Sequence, residues 1–133
     1  MSRILVVDAS IAVDLIARFR PGPIEAQIWA PGTRLAAPEL IDVEVLHALR
    51  RLERENRIPA SRAALVDELH ALPIRRFRHS SLLTGIWSLR GRLTAYDAAY
   101  VTLARLLDAT LLTRDERLAR ASGLGERALV PMY

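Results

Sequence analysis

Two residue types are missing from this chain of 133 residues. There is no cysteine. That excludes a disulfide framework, a thiolate metal site and a cysteine nucleophile, and it fits a reducing, cytoplasmic setting. There is no lysine, so all 19 basic residues are arginine. A receiver domain, whose active site needs a lysine, is thereby ruled out. Neither GxGxxG nor GxxxxGK[ST] occurs, which removes the dinucleotide and P-loop readings. Phosphohydrolases with an aspartate nucleophile carry two aspartates separated by one residue, whereas Asp8 is followed by Ala9 and Ser10. Long apolar runs are absent too. The first one, Ile4 to Val7, is cut by Asp8; it is too short for a signal peptide, and no segment approaches a membrane span. No repeat, linker or low-complexity tract interrupts the chain.

What is present is ordinary for a globular protein: 51% hydrophobic and 26% charged residues. The length suits a single domain, residues 1–133, able to bury its own core. Nineteen basic residues against 15 acidic ones leave a net charge of +4. Arginine forks match phosphate and carboxylate oxygens in pairs, so nucleic acid or an acidic partner suits this balance. A coding bias towards arginine would give the same count.

The hydrophobic pattern alternates between short β-branched runs and helical stripes. Arg3–Val7 reads as a fully buried strand. Ser10 is the expected N-cap of a helix from Ile11 to about Phe19, broken by Pro21-Gly22-Pro23. A short helix over 24–30 follows, then a strand at Leu35–Ala37. Pro38 opens a long helix, roughly Glu39–Arg57, with Ile41, Val45, Ala48, Leu49 and Leu52 as its apolar stripe. Pro59 and Ser61 start a helix to about Leu72, and Ile74–Phe77 reads as the third strand. A helix over His79–Leu89 comes next, then a nearly all-apolar helix from Thr94 to about Asp108. Ala109–Thr113 is the fourth strand, Asp115–Ser122 a helix stopped by Gly123, and Arg127–Val130 the last strand. This order predicts a three-layer α/β/α sandwich around a mainly parallel five-stranded sheet.

In open parallel sheets, ligands bind beyond the carboxyl ends of the strands where strand order reverses. Asp8 closes the first strand, and Asp115 lies just past the fourth. Asp97 sits in the first turn of the helix feeding that strand, and Glu44 in the helix after the second. If the first and fourth strands are neighbours across the reversal, all four acids reach one rim. Carboxylates packed together repel, and a hard divalent cation with oxygen ligands, Mg²⁺ or Mn²⁺, relieves the conflict. Such an ion also neutralises a phosphodiester and acidifies a water for in-line attack. Each acid has a plainer reading. Asp8 and Asp115 could cap the helices that follow them, Glu44 could answer a helix dipole as Glu39 and Asp42 do, and Asp97 could share a capping box with Thr94. Arg90 and Arg92 precede the Asp97 turn and Arg114 adjoins Asp115, positions suited to phosphate contacts. Arg75, Arg76 and Arg78 read as guards of an edge strand. His47, His70 and His79 lack ligand spacing, and Trp29 and Trp87 read as packing residues.

The segments VVDASIAVDLI, APELIDVEVLHALRR, LTAYDAAYVTLA and LLTRDERLA together resemble a PIN-domain ribonuclease, the VapC toxin of VapBC toxin–antitoxin modules. The resemblance covers most of the chain in the expected order. It implies a metal-dependent endoribonuclease leaving a 5′-phosphate and a 3′-hydroxyl. On this pattern Asp8 and Asp97 fall on the principal Mg²⁺ ligands, and Glu44 and Asp115 on supporting ones. Ser10 and Thr113 fall on the polar positions of their motifs, able to hydrogen-bond the carboxylates or the scissile phosphate. The resemblance further implies a homodimer and a VapB-like antitoxin, whose groove would include Leu15, Ile28, Trp29, Leu46 and Leu49 and whose tail would cover the acids. The reading from another class is a non-catalytic PIN-like module that binds RNA or protein and whose acids are structural.

Overall fold

The structure, a computed structural model, describes residues 2–17, 23–58 and 64–131. Phe19, Pro21-Gly22 and the Pro59–Ser61 helix start lie outside the described residues. Five strands, β1 (Arg3–Val7), β2 (Thr33–Pro38), β3 (Ile74–Phe77), β4 (Thr110–Leu112) and β5 (Ala128–Leu129), form one sheet in the order β3-β2-β1-β4-β5. Every pair is parallel. Helices α1 (Ala9–Ala17), α2 (Pro23–Ile28), α3 (Ile41–Arg54), α4 (Leu65–Ala71), α5 (Leu83–Ser88), α6 (Ala95–Leu106) and α7 (Glu116–Ala121) cover both faces. The expected sandwich is therefore what the chain forms. No described helix is long and apolar enough to cross a membrane.

β1 is central because its side chains are apolar on both faces. Leu5, Val6 and Val7 are fully buried, and they pair in register with β2 on one side and β4 on the other. The strand order turns back between β1 and β4, which sets the crevice at the end of β1. Helix α6 lies against the sheet through Ala98, Ala99, Tyr100, Val101, Leu103 and Ala104, all buried. Its approach to α5 is close: a Cβ on Gly85 would lie 2.3 Å from Thr102 Cγ2.

Several boundaries differ from the sequence reading. β2 runs on through Pro38, and the Glu39 N–H donates to the Phe77 carbonyl at 2.8 Å. Residue 39 is thus held in the turn that leaves the sheet, and α3 begins at Ile41. It stops at Arg54, since Asn56 turns left-handed (φ 56°) and the N–H groups of residues 56 and 57 return to Glu53 and Leu52. The expected helix over 79–89 is divided into a single 3₁₀ turn, His79–Ser81, and α5, with fully buried Leu82 between them. Trp29 and Trp87 do not serve as packing residues. They are 51% and 67% exposed, Trp29 just past the end of α2 and Trp87 in the last turn of α5.

Candidate active site

Asp8 is the residue that follows β1, and its backbone is still tied to the sheet through the carbonyl of Leu112 at 3.3 Å. Its carboxylate is 7% exposed. Oδ1 accepts from the Ser10 hydroxyl at 2.5 Å and from the Ile11 N–H at 3.3 Å, and Oδ2 accepts from the Thr113 hydroxyl. Burial pushes the Asp8 carboxyl up from 3.8 to about 6, against the pull of these donors. Asp8 is therefore the cap of α1, and the Ser10 cap expected from sequence is not formed. Ser10 instead spans the crevice: its hydroxyl oxygen also accepts the Arg114 N–H at 3.0 Å.

Thr113, fully buried after β4, joins the two central strands. Its hydroxyl donates to Asp8 and accepts the Asp115 N–H at 2.9 Å. Asp115 caps α7, with Oδ1 accepting from the Leu118 N–H at 3.0 Å. Its other oxygen, Oδ2, accepts from Arg117 Nη2 at 3.3 Å, and the same nitrogen donates to Asp97 Oδ2 at 3.2 Å. Asp97 stands in the first turn of α6, where its N–H donates to Thr94 Oγ1 at 3.1 Å. Only the Thr94 half of the expected capping box is formed.

Glu44 completes the group from α3. Its Oε1 accepts from the Tyr100 hydroxyl at 2.6 Å. Burial raises the Glu44 carboxyl, and the charge of Asp97 raises it further against the Tyr100 bond. The Tyr100 hydroxyl is itself held un-ionised, first by burial, then by Glu44, with smaller contributions from Asp8 and Asp97. The four acids thus belong to one electrostatic network. Asp8 and Asp115 meet through Thr113, Asp115 and Asp97 through Arg117, and Asp97 and Glu44 through their charges around Tyr100.

Residues 5–124 match the PIN domain family. The chain belongs to that family. Among its curated relatives, Ribonuclease VapC3 of Mycobacterium tuberculosis is 43% identical over 118 residues, spanning 88% of this chain and 86% of that one. Ribonuclease VapC1 of the same organism is 43% identical over 121 residues, 90% of this chain and 91% of that one. Ribonuclease VapC9 of the same organism is 40% identical over 117 residues. PAE2754 from Pyrobaculum aerophilum, known from a crystal structure, superposes with a TM-score of 0.65 at 22% identity over 91% of this chain and 81% of that one. It shares the fold.

The donor chemistry of this PIN domain fits a hard divalent cation. It offers only carboxylate and hydroxyl oxygens, and two of the carboxylates are raised by burial, which marks negative charge in excess of what the site can solvate. Asp8, Asp97, Glu44 and Asp115 are the residues that could hold such an ion. As the side chains stand, no three acid or histidine groups among the described residues converge on one point. Protein donors hold them instead.

The three arginines expected at the phosphate each have a protein partner. Arg114 turns inward: its Nε donates to buried Asp14 at 2.6 Å and Nη1 to the Pro131 carbonyl at 2.7 Å. The side chain is 9% exposed, because a buried Asp14 demands a counter-charge. Arg92 donates to the Ser122 carbonyl at the end of α7, and Arg90 lies over the Trp87 ring at 4.5 Å. The Arg90 and Arg92 side chains donate to backbone carbonyls, of Trp87 and Ser122. Two participants escaped the sequence reading. Tyr100 stands three residues after Asp97, on the same face of α6, a spacing that could have drawn attention to it. Arg117 stands two residues after Asp115, in the first turn of α7. His79 also has a role: Nε2 accepts from the Leu40 N–H at the start of α3, at 3.1 Å.

Proposed function

We propose that this PIN domain is a metal-dependent endoribonuclease, the toxin of a toxin–antitoxin pair, hydrolysing RNA phosphodiester bonds with water. The observation that carries the reading is the joining of Asp8, Glu44, Asp97 and Asp115 into one network at the β1/β4 crevice. The names of the relatives, all ribonucleases, agree with it. A divalent ion, Mg²⁺ or Mn²⁺ in its place, held mainly by Asp8 and Asp97 with Glu44 and Asp115 in support, would neutralise charge growing on the phosphate and acidify the attacking water. Ser10 and Thr113 fix the orientation of the Asp8 carboxylate. Tyr100 fixes Glu44 through Oε1, leaving Oε2 to orient the water and take its proton, a task suited to a carboxyl whose pKa is raised. The same reading includes a VapB-like antitoxin, with the acidic crevice as the place its tail would cover, and a homodimer.

The test is purified protein incubated with RNA and Mg²⁺, Mn²⁺ or EDTA. Cleavage should require the cation, and Asp97→Asn should lower it at least 100-fold while far-UV circular dichroism stays unchanged. Equal cleavage by Asp97→Asn, or cleavage undiminished in EDTA, would overturn the assignment in favour of a binding module with structural acids.

A further inference from the structure

We propose that Arg117 is a positioning residue that acts as the built-in counter-ion of the acidic crevice and must be exchanged for the divalent cation. The inference rests on the metal-dependent reading above. Arg117 Nη2 spans Asp97 and Asp115, which come from different helices, at 3.2 and 3.3 Å. The two carboxylates are thereby set in one orientation before any ion arrives. Both contacts use Oδ2, and Asp115 Oδ1 is already committed to the Leu118 N–H. A cation seeking an oxygen of Asp115 therefore has to share with, or displace, a protein donor on either side of the carboxylate.

The geometry favours exchange over permanent occupation. The Arg117 side chain is 62% exposed, and its guanidinium bonds both acids through one nitrogen rather than through its two-pronged face. Pairs of this kind are weak in water. An arginine guanidinium stays charged at any working pH, so it leaves as an intact cation. Arg117 hydrogen-bonds to two of the four acids, Asp97 and Asp115, so a cation arriving at either one competes with the same side chain. When Arg117 swings away it remains at the rim of the crevice as a positive charge.

The experiment titrates metal-free protein with MnCl₂ and follows free Mn²⁺ by electron paramagnetic resonance. Wild type is compared with Arg117→Gln and Arg117→Lys. The glutamine variant should bind Mn²⁺ about three- to tenfold more tightly, and the lysine variant should fall between it and wild type. Loss of a nearby positive charge alone would tighten binding in the glutamine variant but leave the lysine variant at the wild-type affinity, so the lysine variant carries the distinction. Thermal unfolding supplies a second readout. Metal-free Arg117→Gln should melt below wild type, because two acids lose their counter-charge, and should gain more in Tm from added Mn²⁺. Tight Mn²⁺ binding by wild type with equal or weaker binding by the lysine variant would defeat the counter-ion role and leave the metal reading standing. No Mn²⁺ binding by any of the three proteins would defeat both.

Discussion

Asp8 carries the cost of a buried carboxylate in a single residue. Its carboxyl ionises at about 6 in the folded chain and near 3.8 in water. The folded state therefore prefers the protonated form. The stability this residue contributes is fully present below pH 3.8 and is lost as pH rises through about 6. At pH 7.5, without metal, the buried charge costs about 3 kcal/mol by the size of that rise. Asp8→Asn should recover part of this, about 1–3 kcal/mol in urea denaturation with EDTA at pH 7.5, and much less at pH 4. A variant no more stable than wild type at pH 7.5 would contradict the burial penalty. The position of Asp8 was readable in the sequence, since a buried β-branched run ending in an acid is uncommon. The resemblance marks Ser10 as able to hydrogen-bond the carboxylates, as it does, while the local pattern alone reads it as a cap. A serine two residues into a helix looks like a cap, and only the proximity of Asp8 makes its hydroxyl a partner of the carboxylate. Arg114 was misplaced for a related reason: nothing in the sequence announces that Asp14, four residues after Ser10, is buried and needs a charge.

The elements were legible in proportion to their length and periodicity. α3 and α6 carry full apolar stripes, and both lie within two or three residues of where the pattern puts them. β1 is equally plain. The turns after β2 and β3 were less so, because there the backbone hydrogen bond from Glu39 to Phe77 and the burial of Leu82 decide the boundary, and both are tertiary. The α5–α6 contact is of the same kind. Gly85 lies where α5 meets α6, with Thr102 directly over its Cα. Gly85→Ala would push a methyl into Thr102, and overpacking of this sort costs about 1–3 kcal/mol. The change should appear as a lower urea midpoint with an unaltered slope. A neutral result would mean that Thr102 can rotate away freely.

Across the whole molecule, charge is arranged in opposition. The chain carries a net +4, yet the crevice concentrates acids. On the proposed function, a polyanion would be drawn by the surface and repelled by the crevice until a cation entered. For the proposed RNA substrate, binding by the inactive Asp97→Asn variant should weaken steadily with salt, its logarithmic slope about −0.7 for each phosphate neutralised on a single strand. A flat salt dependence from 50 to 300 mM, on the order of the range where counterion release is measured, would argue against electrostatic capture. At this scale the sequence was most informative. The alternation of strands and helices sufficed for the sandwich, and the four acids needed only the β1/β4 adjacency to fall on one rim.

The Thr113–Asp8 hydrogen bond joins positions 105 residues apart. During synthesis the first acid leaves the ribosome long before the strand that completes its surroundings. At common translation speeds the interval is about 5–20 s. For that time the nascent chain holds its acids apart, and whatever the crevice does begins only when the last quarter of the polypeptide has emerged.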